Sequence, residues 1–181
     1  MKKNLAGVVV LALAAGLAAG CGSSTSTSTT TTTTGTQAIA GTVSGPGAVA
    51  NQATVPLRLH GLVNTTGSIM LISNSRQSAA TITTGQGKLE VSHTPGHSTS
   101  RLLSTRTCRF AVAVHATYTV MGSKSTGKFK DAKGNGHVTL LYSANLPKKS
   151  NGSCDVSSNA RPLPGNARVS FAAHGPLTLK H

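Results

Sequence analysis

Carboxylates are nearly missing from this chain. Its 181 residues hold 17 Lys and Arg but only three acids, Glu90, Asp131 and Asp155, giving a formal net charge of +14 and a pI near 10.6. A carboxylate-rich metal cage, or a glycosidase pair with supporting acids, is hard to assemble from three such groups. Tryptophan is absent and aromatic residues make up 3%, which weakens a broad stacking platform for sugars or single-stranded nucleic acid. Beyond residue 20, no stretch of a dozen residues repeats with helical spacing. No Gly-x-Ser-x-Gly elbow occurs, and Ser and His without spacing define no triad. The reading favours a binding or structural protein over an enzyme, and calls for no cofactor and no metal.

What the chain does have begins at its start. Lys2 and Lys3 precede an apolar run from Leu5 to Leu17, which ends in Leu17-Ala18-Ala19-Gly20-Cys21. The run is short for a membrane-spanning helix. The segment resembles a bacterial lipoprotein signal peptide with its lipobox, with Ala18 where that family most often has Leu. The resemblance implies cleavage after residue 20, a diacylglycerol thioether on Cys21, and anchorage on the extracytoplasmic face of the bacterial cell membrane. Losing Lys2 and Lys3 leaves 15 basic groups against three acids, a mature charge of +12. Residues 22–36 comprise nine Thr, four Ser and two Gly, with no apolar area to offset the entropy of ordering. They read as a disordered tether reaching about 50 Å when extended, followed by one β domain over 37–181.

That domain reads as all-β. From Cys108 the even positions are Cys108, Phe110, Val112, Val114, Ala116, Tyr118 and Val120, while odd ones include Arg109, His115, Thr117 and Thr119. Period two over thirteen residues marks a strand with its apolar side inward. Val138, Leu140, Tyr142, Ala144 and Leu146 alternate in the same way before Pro147. Shorter strand candidates are 54–63, 68–72, 79–83, 88–92, 168–173 and 177–180. Seven to nine short strands punctuated by Gly, Pro, Asn and Ser predict a single antiparallel β-barrel or β-sandwich.

Between the two strongest strands lies Ser125-Thr126-Gly127-Lys128-Phe129-Lys130-Asp131-Ala132-Lys133-Gly134-Asn135-Gly136. This stretch is similar to a Gly-rich segment of small secreted bacterial β proteins and of the dirigent and allene oxide cyclase barrels, with Ser125 where those families often have Gly. The resemblance implies tight bends at the glycines, an aromatic plug at Phe129 and a barrel-like fold. It brings no catalytic residue with it.

Lipidation of Cys21 would leave Cys108 and Cys154 as a pair, and an exported compartment favours their oxidation to a disulfide. Gly122 to Phe129 mimics a phosphate-binding loop but has Phe129 where a Ser or Thr should hold Mg²⁺, and strand pattern follows it. Gly45-Pro46-Gly47-Ala48-Val49-Ala50 mimics a dinucleotide fingerprint without the helix that motif requires, and reads as a loop. His93 and His97 bracket Pro95-Gly96 as a solvated turn, since two imidazoles alone make a weak metal site. His115 and His137 are placed to face each other across a hairpin. Lys124, Lys128, Lys130 and Lys133 crowd one turn, and Lys148 and Lys149 another. The first cluster is the candidate polyanion contact, with lipid head groups or anionic envelope polymers as its partners rather than nucleic acid. The expectation is a membrane-anchored lipoprotein with a binding or structural role; the alternatives are a cyclase-like enzyme in a barrel cavity and a surface antigen or adhesin.

Overall fold

The computed structural model describes residues 30–48, 52–72, 79–157 and 159–181. Eight antiparallel strands follow one another around a closed barrel: β1 (Thr32–Ser44), β2 (Gln52–Gly61), β3 (Thr65–Ile72), β4 (Ala79–Thr84), β5 (Gly87–Ser104), β6 (Arg109–Val120), β7 (Lys133–Asn145) and β8 (Leu163–Lys180). The barrel closes through β1 and β8, paired without interruption from Thr32↔Lys180 to Ser44↔Arg168. Closure removes free edges along the paired length, which is how an all-β chain avoids edge-to-edge association.

Alternation decides which side chains fill the interior. On β2 the buried set is Ala53, Val55, Leu57 and Leu59, and on β8 it is Ala167, Val169, Phe171, Ala173, Leu177 and Leu179. Gln37 is the polar exception, 2% exposed on β1. Its amide donates to the carbonyls of His60 and Val63 and accepts from the Val63 N–H at 2.8 Å, pinning the β2–β3 loop. Each buried backbone group left without such a partner would cost about 1–3 kcal/mol.

Four sequence expectations change, the last of them at Cys108 described below. Residues 32–36, read as the end of the tether, are the first turn-out of β1 and pair with the end of β8. Strand formation there needs no apolar side chain, because the backbone of β8 supplies the partners. The two candidates at 168–173 and 177–180 are one strand, β8, continuous through Gly175 and Pro176. His93 to His97 is not a turn but part of β5, with a register shift between Pro95 and Ser98 that absorbs the proline. Residues 1–29, including the signal-like segment, Cys21 and most of the tether, lie outside the described residues.

The barrel has two unlike ends. At one end the first and last described residues meet, with the His181 N–H donating to the Thr31 carbonyl at 2.8 Å. The β6–β7 loop, residues 121–132, seals that end. Thr126 and Lys128 donate backbone bonds to the carbonyls of Lys88 and Gln86, and Phe129, fully buried, joins a core cluster with Leu89, Val120 and Leu179. Gly127, at φ 59, allows the approach, since a Cβ there would fall 2.3 Å from the Gln86 carbonyl oxygen. Ser125 is buried, accepting from the Glu90 N–H at 3.0 Å and donating to the Met121 carbonyl at 3.1 Å. The opposite end carries the β5–β6 hairpin and the long β7–β8 connection. Cys108 and Cys154 join them in a disulfide, Cα to Cα 5.3 Å, within the usual bridging range. Cys108 itself sits in the hairpin turn at φ 53, not on the strand that its alternation suggested.

A candidate ligand cavity inside the barrel

Inward side chains differ in size from level to level of the barrel. Ala80, Ala116 and Ala173 sit where Leu89, Leu177 and Leu179 fill the space below. The difference leaves a cavity of about 170 Å³, walled by aliphatic groups of β3 to β8 together with Ile39 and Phe171. An apolar cavity of about 150 Å³ suffices to hold a benzene-sized guest and stays dry without one. On β6 the lining residues are Val114, Ala116 and Tyr118, and on β7 Val138 and Leu140.

Of the fourteen residues around the cavity only His93 and Tyr118 are polar, and they are register partners across β5 and β6. Gly136 makes room for the Tyr118 ring: a Cβ there would stand 2.8 Å from its Cε1 and closer still to the His174 carbonyl oxygen. Burial raises the phenol pKa of Tyr118 above its ordinary value, so its hydroxyl stays a hydrogen-bond donor at all physiological pH. One donor and one imidazole can orient a guest with a single polar group. They do not make the nucleophile, base and oxyanion donors of an acyl- or phosphoryl-transfer site.

Neither histidine pair from the sequence is assembled. His93 enters the cavity wall, whereas His97 lies outside and stacks on His115 with ring centroids 4.7 Å apart. His115 stands opposite Thr139, whose hydroxyl is 3.3 Å from its Nδ1, and His137 stands opposite Thr117 and beside His174. The two-residue offset follows from the β6–β7 register, which is set by the length of the 121–132 loop and cannot be read from alternation. No group of three or more potential metal ligands occurs among the described residues. The residues 45–48 that resemble a dinucleotide loop form a short 3-10 helix whose Ala48 packs in the core.

Lys124, Lys128, Lys130 and Lys133 are exposed at the sealed end, the end at which residues 30 and 31 enter the barrel. Register brings Lys88 and Lys180 to the same end, two residues whose sequence neighbourhood gave no sign of it. Lys148 and Lys149 stand at the far end, in the segment stapled by Cys154. No protein-family model matches the chain, and no curated protein or solved structure is significantly similar to it.

Proposed function

We propose that this chain is a lipid-anchored protein of the bacterial envelope that binds a small apolar ligand inside its barrel. The observation that carries the reading is the wall of the cavity, apolar except for His93 and Tyr118. Burial of an apolar guest there is favoured by about 25 cal/mol per Å² removed from water, while the two polar groups orient a hydroxyl or carbonyl. A cavity enzyme of the cyclase type would need more converging polar groups than these. The part of the ligand held in the cavity is compact, about the size of one ring.

The anchor is Cys21, and the four lysines at the sealed end meet anionic polymers of the envelope by screened attraction that weakens with salt.

The experiment is calorimetric titration of indole or p-cresol into the protein, alongside a Val114→Phe variant. Val114 lines the cavity and is half-buried, so phenylalanine occupies the guest's volume without displacing the sealed-end core. Measurable binding is expected for the parent, with at least a tenfold weaker affinity in the variant and an unchanged circular dichroism spectrum. Equal affinity in both proteins would remove the cavity as the site.

A further inference from the structure

The end of the barrel opposite the Thr31–His181 contact is apolar and cationic together. Leu102 and Leu103 on the β5–β6 hairpin, Val156 in the β7–β8 connection and Leu163 at the start of β8 are 39%, 45%, 65% and 44% exposed. Large hydrophobic groups gathered on one surface mark a contact with something else. Arg101, Arg106, Lys148, Lys149 and Arg161 are exposed on the same segments, against Asp155 as the one acid there. The other two acids, Glu90 and Asp131, belong to the sealed end. Leucines ringed by arginine and lysine match an anionic bilayer, with apolar groups below the head groups and cations among them.

We propose that this end docks on an anionic lipid bilayer, with Leu102, Leu103 and Val156 entering the acyl boundary and the flanking Arg and Lys holding the head groups. The disulfide between Cys108 and Cys154 keeps the hairpin and the connection side by side, and Leu102 and Val156 line one open groove there. The docked end also adjoins the cavity along β6. The inward face of β6 runs from Val114 in the cavity to Val112 and Phe110, which floor an open groove shared with Leu102 and Val156. The docking surface stands whether or not the cavity holds a guest.

The test uses the mature chain from Gly22, which lacks the lipid but keeps every described residue. The sequence contains no Trp, so Leu103→Trp reports from the docking end alone and Lys128→Trp from the sealed end alone. With vesicles of phosphatidylcholine and phosphatidylglycerol, Leu103→Trp emission should shift to the blue while Lys128→Trp emission stays put, and pure phosphatidylcholine should give a much smaller shift. In the Trp-free chain, Leu102→Ser with Val156→Ser should lower retention on anionic vesicles at high salt at least tenfold. Changing Lys124, Lys128, Lys130 and Lys133 to Gln should leave that salt-resistant part intact. No shift at Leu103→Trp, or retention unchanged in the Ser variant, overturns the proposal. A shift that grows with protein concentration in the absence of vesicles assigns the surface to a second copy of the chain instead. Retention on an anionic polysaccharide equal to that on vesicles, without a shift, assigns it to a glycopolymer. Indole titration in the absence of lipid reads the cavity separately.

Discussion

Tyr118 and Tyr142 are the only tyrosines in the chain, and burial raises the pKa of both above the free phenol value. Ionising either would place a phenolate among apolar neighbours: Tyr142 packs edge-on against Phe110, and Tyr118 lies against the cavity. The sign follows from linkage. A folded-state pKa above the unfolded one contributes stability that is fully present below about pH 10 and is lost as pH climbs through the folded values. Ultraviolet titration of the native protein should therefore show no phenolate appearing at the ordinary tyrosine midpoint. In denaturant both groups should titrate together near pH 10. A native phenol ionising at the free value would mean that its ring is not packed as described. Neither tyrosine could be ranked by sequence alone, because alternation places both inward and says nothing about where the barrel is full and where it is hollow.

Strands were legible where side chains alternate and illegible where backbone pairing alone makes them. β6, β7 and β2 carry their period in Val, Leu and Phe, which is why their inward faces follow from the sequence. The first five residues of β1 are Thr-Thr-Thr-Gly-Thr, a composition that fits a solvated linker equally well, and only the partner strand makes them structural. The upper half of β5 fails for a related reason: Pro95 and Gly96 read as a turn, yet a register shift lets the strand carry them. The hollow middle of the barrel did leave a trace, in small residues at inward positions such as Ala116 and Ala173, but without strand order there was no way to see that they meet. The disulfide was reached by counting cysteines, and the structure adds what it holds, the hairpin and the β7–β8 connection. Crosslinking residues 46 apart restricts the unfolded chain by about 4 kcal/mol in the chain-entropy treatment. Replacing Cys108 and Cys154 together by Ser should lower the melting temperature by roughly 5–15 °C. Mass spectrometry of the unreduced parent should show it two hydrogens lighter than the reduced chain; two freely alkylating thiols would contradict the bridge.

At the scale of the molecule, the two ends differ in chemistry although both are basic. The sealed end offers lysines over a buried plug, and the far end offers leucines among arginines and lysines. Attraction at the first should fade with ionic strength, and attraction at the second should retain a part that salt does not remove. Anchorage is tested separately, by replacing Cys21 with Ser in cells. The expected outcome is loss of acyl label and release from membranes under an alkaline wash that strips peripheral contacts; retained label and fractionation would exclude the lipid anchor.

If one end is held by its tether while the other grips a bilayer, the pairing of β1 with β8 acquires a mechanical meaning. A pull arriving at Thr32 runs along the strand, while the bonds joining β1 to β8 and β2 lie across it. Such a load must shear the thirteen registered positions between Thr32 and Ser44 together, instead of peeling them off singly. A chain so held would hang by a strand that yields only as a block, with tension on the tether spread over the whole length of the barrel wall.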